Sequence, residues 1–516
     1  PDVVQPNDQF VCNGTATDLV NFTGSVNNTT FSWTNNNPSI GLAASGTGNI
    51  PVFTGTNNTN SDLTATITVT PDANGCPGTP VSFNITVYPT PSVMQPANQV
   101  VCNRGTTTGI NFTNFTSVVT NAAYSWTNNT PSIGLASSGF GNIPSFTAIN
   151  NTNAPITATL HIQVINNGCP GTPRDFTITV NPTPDVAQPA NQDICNGSSS
   201  SPITFSGAVN NTSFTWTNDQ TSIGLAATGN GNIATFNAIN LSNAPVTAHI
   251  TVTPMANTCA GSPESFNITV NPIPTVNQPA TQSVCNGALT NAVDFTGAVA
   301  GTNYTWTNDQ TSIGLPANGT GDIPAFNGIN NGISPVTATI TVSPEFSSCP
   351  GTSKSFRITV LPLANLIQPM NQFLCNGEPS APINFMGTTS GTTYSWTNDN
   401  PSIGLAATGN GNIPSFTVTN SGNTTATANI TVTATANNCG GVTRTFQILI
   451  DPTPDMAQPA NQTVCNGGVI NPTAFVGTVA GTTFSWINNT TSIGLSASGT
   501  GDVPSFTAIN NTHFPV

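Results

Sequence analysis

Trp33-Thr-Asn-Asn-Asn-Pro-Ser-Ile40-Gly-Leu42-Ala-Ala-Ser-Gly-Thr-Gly48 sets the architecture of this chain, because variants of it occur six times. The six tryptophans, Trp33, Trp126, Trp216, Trp306, Trp396 and Trp486, each open one copy, at spacings of 93, 90, 90, 90 and 90 residues. A fixed period of this kind marks a repeat array. With one tryptophan per period, each repeat is expected to build its core around it. The units read as 1–90, 91–183, 184–273, 274–363, 364–453 and 454–516, five complete repeats and part of a sixth.

Outward from the tryptophan the pattern is that of strands. Phe31 and Trp33 stand two residues apart, which puts both on one face of a strand. Thr64-Ala-Thr-Ile-Thr-Val-Thr70 alternates strictly, with Ala65, Ile67 and Val69 inward and threonines outward. Ser82-Phe-Asn-Ile-Thr-Val87 alternates likewise, with Phe83, Ile85 and Val87 inward. Weaker strands are predicted at Val20–Thr23, at Ile40-Gly-Leu42 and from Ile50 to Phe53, with Gly46-Thr-Gly48 as a break and residues 71–78 as a turn. Ten residues after the first cysteine of each repeat comes a phenylalanine: Phe22, Phe112, Phe205, Phe295, Phe385 and Phe475. Repeat 2 carries three extra residues between Phe112 and Trp126, where a surface loop is expected. About seven short strands per unit, without a helical period, predict an all-β tandem array of immunoglobulin-like sandwiches of about 90 residues. The sixth unit should be incomplete, with exposed edges.

Pro-x-Pro joints separate the units: Pro89-Thr-Pro91, Pro182-Thr-Pro184, Pro272-Ile-Pro274 and Pro452-Thr-Pro454, with Pro362-Leu-Ala364 as the exception. Such joints favour a short, stiff, polyproline-like path.

Composition excludes several functions. Only 5% of the 516 residues are charged, and five Lys plus Arg against 19 Asp plus Glu give a net charge of −14. Five cations cannot neutralise a run of phosphates or hold an anionic membrane surface. Aromatic and β-branched residues in period two argue against a disordered chain. No apolar run of 18 residues is present, so no direct insertion into a membrane is expected of this segment. Pro1 does not begin a cationic-then-apolar leader, and the pattern stops within a strand at Val516. The expectation is a piece cut from a longer protein.

The eleven cysteines form two series. Cys12, Cys102, Cys195, Cys285, Cys375 and Cys465 each precede an asparagine. Cys76, Cys169, Cys259, Cys349 and Cys439 lie in turns. One of each per repeat points to one disulfide per repeat and an oxidising, extracytoplasmic setting. Spacing alone does not decide the pairing: within a repeat it is 64 or 67 residues, and from each second-series cysteine to the next repeat it is 26. The favoured pairs are Cys12–Cys76, Cys102–Cys169, Cys195–Cys259, Cys285–Cys349 and Cys375–Cys439, with the partner of Cys465 beyond the chain end. Closing a 64-residue loop would contribute roughly 4 kcal/mol through loop entropy. No Cys-x-x-Cys occurs, so zinc is disfavoured.

The phrases Gln-x-Val-Cys-Asn-Gly, Tyr/Phe-Ser/Thr-Trp-Thr-Asn and Ser-Ile-Gly-Leu-Ala-Ala-x-Gly-x-Gly-Asn/Asp-Ile-Pro-x-Phe resemble the PKD-like repeats of giant Bacteroidota cell-surface adhesins. The gliding-motility filament adhesins exported by the type IX secretion system are the relatives in view. The resemblance spans essentially the whole chain. It implies an immunoglobulin-like array at the outer surface of a Gram-negative bacterium, and names no ligand.

The internal copies test candidate sites. Asp219, Asp309 and Asp399 follow Trp-Thr-Asn, but Asn36, Asn129 and Asn489 replace them elsewhere. Asp322 and Asp502 stand where other copies have Asn49, Asn142, Asn232 and Asn412. Carboxylates that come and go read as turn-formers rather than calcium ligands. His161 and His249 replace outward threonines, and with His513 they form no recurring catalytic set. Gly-x-Gly precedes no helix and is no nucleotide loop. The chain is therefore expected to be no enzyme and to need no cofactor. The leading expectation is a stiff stalk or filament segment of about 200 Å, from roughly 35–40 Å per sandwich, projecting an adhesive region. Its expected partners are other repeats of the same long chain, surface polysaccharide or neighbouring filaments, with no nucleic acid. The alternatives are repeats that themselves grip polysaccharide or ice through their threonine ladders, and an accessory region of a secreted hydrolase.

Overall fold

The computed structural model describes residues 1–112, 119 and 122–516. The inserted loop of repeat 2 falls largely on 113–118, 120 and 121, outside the described residues. The chain divides into two compact units, Pro1–Asn271 and Pro272–Val516. The first holds repeats 1–3 and the second repeats 4–6.

Repeat 1 shows how one copy is built. Its strands are β1 (Gln9–Cys12), β2 (Thr30–Asn35), β3 (Ser45–Thr47), β4 (Leu63–Ala73), β5 (Cys76–Pro77) and β6 (Val81–Tyr88). They form one sheet in the order β1-β6-β4-β2-β3, with β5 paired to the end of β4. Every pairing is antiparallel except one. β1 runs parallel to β6, with Gln9 opposite Ile85 and Cys12 opposite Tyr88. The same sheet recurs in repeats 2 to 4, and in repeat 5 the last two strands merge into Cys439–Asp451. The opposing layer is less regular. It is held by isolated bridges such as Ala16–Thr54 and Val20–Ile50, repeated as Thr106–Thr147 and Ile110–Ile143. These repeated two-layer units make the chain an all-β array of immunoglobulin-like sandwiches.

The core lies between the layers. Ala65, Ile67 and Val69 of β4 and Phe83, Ile85 and Val87 of β6 are buried against Val20, Phe22, Trp33, Ile40, Leu42 and Ile50. Their outward neighbours are threonine, serine and asparagine, as the alternation requires. Each complete repeat has such a cluster of its own. Phe22, the residue ten past Cys12, meets Phe31 at 5.7 Å and Phe83 at 6.5 Å between ring centroids.

Three local expectations need correction. Ile40-Gly-Leu42 is no strand: Pro38–Ile40 is a 3₁₀ turn, closed by Gly41 at φ 94°. A turn there places Ile40 and Leu42 both inward and so imitates strand alternation. Gly46 does not break the sheet but lies in edge strand β3, opposite Trp33. Val20–Thr23 and Ile50–Phe53 contribute bridges rather than strands.

In the incomplete sixth repeat only short strands form, Val469–Ile470 with Phe506–Thr507 and Ser485–Ile487 with Ser498–Thr500. Trp486 is half-buried, unlike the other five tryptophans, so it is not the buried core residue expected. Within residues 1–516 nothing equivalent to β4 and β6 is present to cover it.

Candidate functional site: the joint between repeats

The residues that recur most faithfully gather where one repeat meets the next. β1 ends at Cys12, opposite Tyr88, the last residue of β6. This is the pole at which the chain leaves repeat 1 through Pro89-Thr-Pro91. The β4–β5 hairpin, turned at Asn74 (φ 56°) and Gly75 (φ 79°), lies at the opposite pole and carries Cys76. Tyr88 stands twelve residues after Cys76 along mostly extended chain, roughly 35–40 Å. A disulfide needs Cα atoms about 4.4–6.8 Å apart. Cys12 and Cys76 therefore cannot be joined within one folded repeat.

The structure joins neighbouring repeats instead. Cys12 of repeat 1 bonds Cys169 of repeat 2, with Cα atoms 5.5 Å apart. Cys102 of repeat 2 bonds Cys259 of repeat 3, and Cys285 of repeat 4 bonds Cys439 of repeat 5, each with Cα atoms 5.6 Å apart. Cys195 and Cys349 are disulfide-bonded as well. Of the expected pairs, Cys12–Cys76, Cys102–Cys169 and Cys285–Cys349 are thus replaced by bonds between successive repeats. Cys195–Cys259 and Cys375–Cys439 are excluded too, because Cys259 and Cys439 are already taken. The alternative across 26 residues, Cys76–Cys102, fails in the same way. Among the described residues Cys76, Cys375 and Cys465 are free, and all three are exposed. The rule that links each first-series cysteine to the second-series cysteine of the next repeat leaves these three without a counterpart in 1–516.

The joint is also held by amides. Asn13, next to Cys12, donates from Nδ2 to Oγ1 of Thr90, the middle residue of Pro89-Thr-Pro91, at 3.1 Å. Asn103 does the same to Thr183 at 3.1 Å and Asn376 to Thr453 at 2.9 Å. The Oδ1 of Asn13 accepts the Asn57 backbone N–H at 2.8 Å. Buried Asn57 then donates to the carbonyls of Ser61 and Val87, at 2.8 and 2.7 Å. Asn150, Asn240, Asn330 and Asn420 repeat that bridge onto Val180, Val270, Val360 and Ile450. Across the first two joints, Asn167 Nδ2 reaches Asp62 Oδ2 at 3.5 Å, and Asn181 Nδ2 reaches the Asn257 carbonyl at 3.3 Å. Sequence reading singled out the cysteine and the Pro-x-Pro of this joint. It missed the asparagines, whose signal was their presence at one position in every copy.

The candidate ligand residues prove to be local fasteners. Asn36 and Asn129 accept the backbone N–H of Thr66 and Thr159 at 2.8 Å. Asp219, Asp309 and Asp399 accept the equivalent N–H of His249, Thr339 and Asn429 at 2.7 Å. Asn49, Asn142, Asn232 and Asn412 cap Phe22, Phe112, Phe205 and Phe385, and Asp322 and Asp502 cap Phe295 and Phe475. Amide and carboxylate make the same bond, which is why they interchange. The Asn429 side-chain amide, and then its backbone N–H, hold the Asp399 carboxyl below its ordinary value. The outward threonines bond one another across the strands, Thr64 with Thr86 and Thr68 with Ser82, both at 2.9 Å. Exposed His161 contacts Asp175 at 2.7 Å, and exposed His249 contacts Asn267 at 2.8 Å. Among the described residues no three His, Cys, Asp or Glu side chains are grouped to hold a metal ion, and no helix is long and apolar enough to cross a membrane.

No family model matches the chain, and no curated protein matches it in sequence. Among solved structures it is similar to titin domains I67–I69, at 13% identity and TM-score 0.36, over 52% of this chain and 98% of that one. It is similar to the human Desmocollin-1 ectodomain, at 11% identity and TM-score 0.25, over 85% and 95% of the two chains. It is also similar to Sidekick-1 immunoglobulin domains 1–5, at 13% identity and TM-score 0.26, over 87% and 98%. The chain is a tandem immunoglobulin-like array with disulfides between neighbouring repeats, suited to an oxidising environment.

Proposed function

We propose that this chain is a load-bearing stalk segment of a large extracellular bacterial adhesin, holding an adhesive region away from the outer surface of a Gram-negative cell. Units 1–90, 91–183, 184–273, 274–363 and 364–453 each serve as one sandwich of the stalk, and 454–516 begins another. The observation that carries this reading is the disulfide between successive repeats. A binding module or an enzyme accessory region gains nothing from fastening one unit to the next, whereas a tether under tension does. The resemblance to gliding-motility adhesins supports a role in type IX secretion and surface movement. On this reading the repeats are non-catalytic, and their threonine faces, already hydrogen-bonded strand to strand, are structural.

The test is competition. The source cells bind their surface through the adhesive region, so purified chain 1–516 in excess should leave cell attachment unchanged. Removing repeats 2–4 from the chromosomal copy should weaken it by bringing the tip closer to the cell. Inhibition of attachment by the purified chain, or its retention on surface polysaccharide, would instead establish the repeats as the binding module.

A further inference from the structure

The staggering of the disulfides has a mechanical consequence that their presence alone does not. Cys12–Cys169 and Cys102–Cys259 each span 157 residues of chain, and each has one end inside the other's loop. A pull between Pro1 and Asn271 can travel from Cys12 through sulfur to Cys169, or along the chain to Cys102 and through sulfur to Cys259. Both routes omit the same length. Either bond alone therefore sets the same limit on extension, and the two together tighten it by only about 80 Å, because the path then runs from Cys169 back to Cys102. In the other unit, Cys285–Cys439 removes a further 154 residues from the path.

We propose that the overlapping disulfides act as a redundant strain limiter: they keep the length stored in the sandwiches from being released under tension, and loss of one bond does not lift the limit. The inference rests on the stalk reading for its biological use, but its physics is tested on the purified chain alone. At about 3.5 Å per extended residue, the unbridged chain reaches about 1,800 Å, and the bridged one about 630 Å. Intra-repeat bonds would give neither the overlap nor the redundancy. The buried state of Cys169, Cys259 and Cys439, at 2%, 2% and 0% exposure, protects the bonds from exchange in the folded array.

The experiment is single-molecule extension of the full chain held by its termini. Oxidised chain should stop at about 630 Å, and chain reduced with a dithiol in denaturant should reach about 2.9 times that length. The dithiol splits each S–S bond by two exchange steps, leaving two protein thiols and its own cyclic disulfide. Replacing Cys12 and Cys169 together by serine should lengthen the limit by only about 80 Å. Replacing Cys102 and Cys259 as well should add roughly a further 450–550 Å. Circular dichroism of each variant at rest confirms that the strands remain. An added length of roughly 550 Å from the first pair of substitutions alone, or equal extension with and without dithiol, would overturn the proposal. So would steps of about 220 Å per bond, the signature of closure within a repeat. These outcomes leave the attachment experiment untouched, so failure of the limiter and failure of the stalk reading are separable.

Discussion

At the scale of the residue, the array depends on a large ring against a missing side chain. Trp33 of β2 lies over Gly46 of β3, and a Cβ at Gly46 would stand 2.2 Å from Trp33 Cζ2. The same contact recurs at Gly139, Gly229, Gly319, Gly409 and Gly499 with their tryptophans. Each indole Nε1 is buried without a hydrogen-bond partner, so the ring is held by packing alone. Gly46→Ala should therefore destabilise repeat 1 by about 1–3 kcal/mol through overpacking, read as faster hydrogen exchange in β2 and β3. Gly440→Ala, where a Cβ would meet nothing within 4 Å and φ is not positive, should stay within about 0.5 kcal/mol of the parent. Equal effects at the two positions would show that the tryptophan–glycine contact does not hold the edge strand. The sequence makes the tryptophan legible as the core residue, because it recurs with an aromatic two positions before it. Its glycine partner was visible only as part of a small-residue run, since nothing local says which glycine lies beneath which ring.

At the scale of the element, β4 and β6 were legible because strict alternation leaves one face apolar and the other full of threonine. Ile40-Gly-Leu42 misled because a turn can bury residues i and i+2 as a strand does. The cysteine pairing was not legible for a different reason. It follows from β1 docking parallel to the far end of β6, a contact between residues about 75 positions apart that no local pattern announces. That docking is secured by Asn57, which ties the loop before β4 to the end of β6. Asn57→Ala removes its donors to Ser61 and Val87, leaving Ser61 with only the Thr59 hydroxyl, at a cost of about 1–2 kcal/mol. The expected result is a lower denaturation midpoint for repeat 1, with the amides of β1 and the end of β6 exchanging first. Unchanged exchange there would mean that the Asn13–Asn57 network does not fasten the joint.

At the scale of the whole molecule, the repeat period made the array and its sandwiches legible, and the cysteines made the oxidising setting legible. What the chain adds on folding is polarity within each repeat: one cysteine at each pole, so that every disulfide must reach to a neighbour. The most direct measurement is peptide mapping of the oxidised chain after blocking free thiols. Pepsin suits it, because five Lys and Arg offer trypsin few cuts. The predicted result is a fragment containing Cys12 linked to one containing Cys169, and Cys102 linked to Cys259, with Cys76 recovered as a blocked thiol. Recovery of Cys12 joined to Cys76 would contradict the account.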